Sequence, residues 1–179
     1  MRIACALLAT VFISSSAYAE IEKIAMPSEK GLSAYWWPKL APMGGWHQDR
    51  GSSLLYGVNA LAPDGFTFKN AECVMYARAP YKPRSPEIKS LEAFIESDQR
   101  DFEAKVPSVS IQEVAPLSTV DGQKFRSFTF FPTKGGNWER VSYGEEGDFY
   151  LIFTVSCRSQ TGFDAAASAY EKLVVSYKK

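Results

Sequence analysis

Few residues in this chain have the type and spacing to do chemistry, and most of those lack the company they would need. His47 is the only histidine. A zinc site built on it requires about two or three further nitrogen, sulfur or carboxylate ligands, and none clusters around it in the sequence. A Ser-His-Asp triad would have to combine His47 with Ser52 or Ser53 as nucleophile and Asp49 as orienter, because the imidazole must take the hydroxyl proton while a carboxylate holds it. No G-x-S-x-G elbow is present to expose such a serine. Glu145, Glu146 and Asp148 could serve as paired acid and base or as calcium ligands. Calcium, however, takes about six to eight oxygens, and an acidic run between two strand-like segments reads first as a solvated turn. Gly135-Gly136 has neither the spacing of a phosphate-binding loop nor a helix after it. The sequence assigns no catalytic residue, no metal ligand and no cofactor.

Two groups carry more weight. Tyr35, Trp36, Trp37 and Trp46 place three of the four tryptophans in a short stretch beside Pro38, Pro42 and Gly44-Gly45. Such rings can form a platform for a sugar, a peptide or a protein, since tryptophan adds large contact area at low entropic cost. They can equally staple an N-terminal segment onto a domain. Together with His47 they are the candidate binding residues. Cys73 and Cys157 are the second group. An even pair in an exported chain reads as one disulfide, with two buried free thiols as the alternative.

Export is expected from the N-terminus. Arg2 precedes the uncharged run Ile3 to Ile13, Ser14-Ser15-Ser16 breaks it, and Ala17-Tyr18-Ala19 offers small residues to a signal peptidase. The run is too short for a bilayer span, which needs about 20 residues. The expected organisation is a signal peptide over 1–19, an aromatic and proline-rich extension over 20–50, and one α+β domain over 51–179. Twenty Lys and Arg balance twenty Asp and Glu, and without a basic run nucleic acid is not an expected partner.

The elements that must position these residues follow from periodicity. Residues 31–50 have no period and read as extended or irregular. Leu54 to Asn59 reads as a strand, and Pro63-Asp64-Gly65 as a turn. Ala71 to Arg78 alternates as a strand, with Cys73, Met75 and Ala77 on one side. Ser90 caps an expected helix to Lys105 whose apolar face carries Leu91, Phe94, Ile95 and Phe102, with Asp98 intruding on it. Strands over Val109 to Ala115 and Lys124 to Phe131 flank the hairpin signal Asp121-Gly122. Trp138 to Tyr143 and Phe149 to Cys157 form a second hairpin. Thr161 opens a final helix with Phe163, Ala166, Ala167, Tyr170, Leu173, Val174 and Tyr177 on one face. The expected fold is a twisted, mostly antiparallel sheet covered by two helices.

That order of pieces resembles the PsbP-like fold, an α/β/α sandwich shared by the lumenal PsbP protein of photosystem II, a small nuclear Ran-binding factor and several bacterial exported proteins. The resemblance rests on Pro63-Asp64-Gly65-Phe66, Ser90-Leu91-Glu92-Ala93-Phe94, Asp121-Gly122-Gln123-Lys124, the strand Tyr150 to Ser156 and the close Val174-Val175-Ser176-Tyr177-Lys178. It covers residues 54–179 and leaves out the aromatic-rich 31–50. It implies a fold whose members mostly bind partner proteins, and it transfers no functional residue. The expected function is accordingly that of an exported, periplasmic or secreted protein that binds or stabilises another envelope protein without catalysis. The alternatives are an envelope-polymer hydrolase using His47 or paired carboxylates, and a carrier of a small apolar ligand.

Overall fold

The computed structural model describes residues 21–28 and 31–178; the expected signal peptide lies outside them. β1 (Ile21–Ser28) and β2 (Gly31–Pro38) form an antiparallel hairpin of their own. The main sheet holds seven strands: β3 (Trp46–Gln48), β4 (Asn59–Pro63), β5 (Cys73–Arg78), β6 (Val109–Ser118), β7 (Lys124–Pro132), β8 (Trp138–Glu146) and β9 (Phe149–Cys157). Their order is β3-β4-β5-β9-β8-β7-β6, and every neighbouring pair is antiparallel. Three helices complete the fold: α1 (Arg50–Tyr56), α2 (Leu91–Lys105) and α3 (Gln160–Val175).

The strand period of two divides the core. Leu151, Phe153, Val155 and Cys157 of β9 join Met75 and Ala77 of β5 beneath Ala166, Tyr170, Leu173 and Val174 of α3. On the other face Ile152, Val141, Tyr143, Phe128 and Phe130 pack under Ile95 of α2. α2 and α3 therefore cover opposite faces of one sheet, and the α+β sandwich expected from the sequence is the observed class. Each large side chain so buried contributes about 1.5–3 kcal/mol.

Cys73 lies directly across from Cys157 in the β5–β9 register. The two are bonded, with Cα atoms 4.1 Å apart and a sequence separation of 84. Closing so long a loop removes denatured-chain entropy equivalent to about 4 kcal/mol.

Several local expectations are corrected. Leu54 to Asn59 is not a strand. The Asp49 carboxylate accepts the Ser52 amide at 2.9 Å and starts α1, Gly57 ends it at φ +66°, and strand begins only at Asn59. Ser159, and not Thr161, caps α3, its hydroxyl accepting the Gly162 amide at 3.1 Å. Residues 31–50 are more regular than their aperiodicity suggests. Gly31–Pro38 pairs along its whole length with β1, and Trp46–Gln48 forms an edge of the main sheet. Cross-strand hydrogen bonds impose that regularity where side-chain alternation does not announce it. Finally, Asp98 is no misfit on the sheet-facing side of α2. It accepts Arg78 Nη2 at 2.6 Å and the Tyr143 hydroxyl at 2.8 Å.

Candidate functional site

The aromatic residues of the N-terminal hairpin are packed against the domain. Trp37 is fully buried, at 0% exposure. Its indole nitrogen donates to Glu22 at 3.1 Å, and the Arg50 guanidinium lies 5.7 Å from the ring centroid. Trp36 stacks on Tyr81 at 5.2 Å under the Arg84 guanidinium at 4.4 Å. Its carbonyl accepts the Ala79 amide at 2.8 Å, joining the hairpin to the chain just after β5. Tyr35 packs against Gly57, where a Cβ would meet the ring at 2.4 Å. Trp46 and His47 line a separate cavity of about 430 Å³ with Leu40, Met43 and Leu61. Of the five candidate binding residues, Trp46 and His47 thus share a cavity, Tyr35 and Trp36 pack elsewhere, and Trp37 has no surface to offer a ligand.

The residues considered for catalysis are likewise occupied. His47 is exposed, with Nδ1 3.4 Å from Asp64. Asp49 accepts the amides of Ser52 and Phe68, both at 2.9 Å, and these bonds hold its carboxyl below the usual range. Ser53 is buried; its hydroxyl donates to the Asp49 carbonyl at 2.8 Å and accepts the Ala60 amide at 3.0 Å. The would-be nucleophile and orienter therefore build the start of α1 and its junction with β4. In the acidic run, Lys82 Nζ donates to Glu145 at 2.9 Å, and the Tyr177 hydroxyl donates to Glu146 at 2.6 Å.

A different set of side chains converges where α2 leaves the sheet uncovered. α2 lies over β7, β8 and the middle of β9. Toward β5, and toward the start of β8 and the end of β9, the same face opens into a cavity of about 360 Å³. Val74 and Tyr76 of β5, Glu139 of β8 and Ser156 of β9 form its floor, and Tyr56, Val58, Phe68 and Ala71 form an apolar wall. Register accounts for the floor, because Ser156 is the partner of both Val74 and Glu139. Antiparallel partners point their side chains to the same face. A cavity of this size, mostly apolar with a few convergent polar groups, has the character of a binding site.

The polar groups form one chain. Asn137 Nδ2 donates to the Ser156 hydroxyl at 2.9 Å, and that hydroxyl donates to Glu139 at 2.7 Å. Glu139 is only 9% exposed. Burial raises its pKa, the Ser156 hydrogen bond opposes the rise, and the negative charge of Asp98 adds to it. Glu139 and Tyr76 also border a neighbouring cavity of about 300 Å³ beside α2, where Arg78 and Asp98 pair. Sequence reasoning missed Glu139, Ser156, Asn137 and Tyr76. Nothing local marked Glu139, which stands in a strand that also carries Arg140, Ser142, Glu145 and Glu146; its neighbours come from other strands and become visible only with the register.

No protein-family model and no curated protein matches the sequence. Among solved structures, the chain is similar to the solution structure of cyanobacterial PsbP (CyanoP) from Synechocystis sp. PCC 6803. The alignment covers 90% of this chain and 94% of that one, at 11% identity and a TM-score of 0.41.

Proposed function

We propose that this is an exported, non-catalytic protein that holds a partner protein at the cell envelope, periplasmic or outside the cell, through the open end of its sheet. One observation carries the reading: the segments that supply the cavity's apolar wall also leave apolar side chains in water. Leu55 and Tyr56 of α1 are 71% and 56% exposed, and Phe66, two residues before the wall residue Phe68, is 52% exposed. Apolar groups gathered around a concave site mark a surface that another molecule covers. The disulfide supports an oxidising compartment, as does the signal-like N-terminus. No helix among the described residues is long and apolar enough to cross a membrane.

The test is capture from envelope extract with three baits: the native protein, Leu55→Asp combined with Phe66→Asp, and His47→Ala. A protein enriched by the first and third and lost by the second supports the reading. Equal recovery by all three baits would overturn it. The cavity volume also suits a small-ligand carrier. A compound that co-purifies with the native protein and is absent from a variant whose cavity is filled by Val74→Trp would favour that second reading.

A further inference from the structure

The cavity contains a carboxylate with more acceptor capacity than the protein uses. One oxygen of Glu139 accepts the Ser156 hydroxyl. The other has no donor among the described residues. Buried carboxylates are normally paired, because desolvating the charge costs several kcal/mol. Of the nearby cations, Arg78 is paired with Asp98, and Arg158, which also lines the cavity, donates to the Lys69 carbonyl and not to Glu139. Glu72 adds a second carboxylate to the cavity lining.

The wall beside Glu139 is aromatic. Tyr56 and Phe68 have ring centroids 5.5 Å apart, and Phe68 meets Tyr76 at 6.1 Å. Ring faces attract cations, most strongly where water is excluded. A neutral apolar ligand would leave the second Glu139 oxygen buried without a donor. An anion would meet two lining carboxylates, Glu72 and Glu139, against the single lining cation Arg158. The aromatic rings beside the carboxylate suit an organic cation, whose charge and methylene groups can both be accommodated.

We infer that the cavity receives a basic side chain of the partner, a lysine ammonium or an arginine guanidinium, bonded to Glu139 and flanked by Tyr56, Phe68 and Tyr76. The inference rests on the partner-binding reading and names the chemistry of its contact. Val58 and Val74 supply the apolar surface along which the methylene stem of such a residue lies.

The test is an NMR titration of the purified, disulfide-bonded protein with four probes: Nα-acetyl-lysine N-methylamide, its arginine and norleucine counterparts, and the free diamine putrescine. Amide shifts at Val74, Tyr76, Asn137, Glu139 and Ser156 should saturate with the lysine or arginine probe. Norleucine should bind about tenfold or more weakly, as loss of a charge-assisted hydrogen bond implies. Glu139→Gln should weaken the cationic probes by a similar factor without lowering the melting temperature, and Tyr56→Leu should weaken them severalfold. Norleucine binding as well as lysine, or Glu139→Gln binding like the native protein, would overturn the inference. Putrescine binding more tightly than both capped residues would assign the site to a free amine and also overturn it. If the cationic probes fail while capture still depends on Leu55 and Phe66, the cation is removed and the docking reading stands. If capture is indifferent to those two residues, the docking reading itself falls.

Discussion

Replacing Glu139 with glutamine should make the protein more stable at neutral pH, and the gain should disappear in acid. Glu139 lies on β8 across from Ser156 of β9, with Tyr76 of β5 beside it and Asp98 approaching from α2, where Arg78 is already paired with that aspartate. Burial is the largest influence and raises its pKa. The folded state therefore holds the proton more tightly than the unfolded chain, whose glutamates titrate near pH 4.3. Through the window from about that pH up to the raised folded value, the folded state binds more protons, so stability falls as pH rises. Above the window the full penalty remains. Glutamine keeps the size of the side chain and the oxygen that accepts from Ser156, and it removes the charge. Its Nε2 takes the place of the oxygen that lacks a donor, so what the substitution relieves is the extra cost of a buried charge over a neutral polar group, on the order of 1–3 kcal/mol at pH 8. At about 2–4 °C per kcal/mol for a chain of this length, the melting temperature should rise by roughly 2–12 °C. Calorimetric melts of both proteins at pH 4, 6 and 8 provide the measurement. A glutamine variant that melts below the native protein at pH 8, or a gain of equal size at pH 4, would refute the reasoning.

Other expectations concern the framework around the site. Converting both Cys73 and Cys157 to alanine should cost about 2–5 kcal/mol, read as a lower urea midpoint that matches the native protein measured under reductant. An unchanged midpoint would mean the bridge between β5 and β9 adds nothing. Gly57→Ala should destabilise by more than about 1 kcal/mol, because the position has φ +66° and the Tyr35 ring lies 2.4 Å from the new Cβ. Adding Tyr35→Ala should recover the steric share and leave the backbone share, so a double-mutant cycle without coupling would sink the packing described between the hairpin and α1.

What was legible in the sequence was local. The alternation over Cys73–Arg78 and Phe149–Cys157, the three-and-four spacing along α3 and the Asp121-Gly122 turn each depend on neighbours a few residues away, and each formed as expected. Leu54-Leu55-Tyr56 misled for the same reason. Three apolar residues in a row read as a strand, whereas their helix is set by Asp49, which also bonds the distant Phe68 amide, and by a left-handed stop at Gly57. Those side chains stay partly in water, which no periodic rule would suggest. The tryptophan-rich stretch stood out by composition, yet composition could not separate rings that fasten a hairpin from rings that meet a ligand.

By itself the sequence determined which residues alternate, that Ser90 caps α2, and that a single pair of cysteines outside the leader-like start was available to bond. Only the tertiary structure decided which strands lie side by side, and hence that Glu139, Ser156, Tyr76 and Asn137 share one opening. The reason is register: moving a strand by one residue sends every side chain to the other face. A site assembled from three strands therefore exists only once their pairing is set.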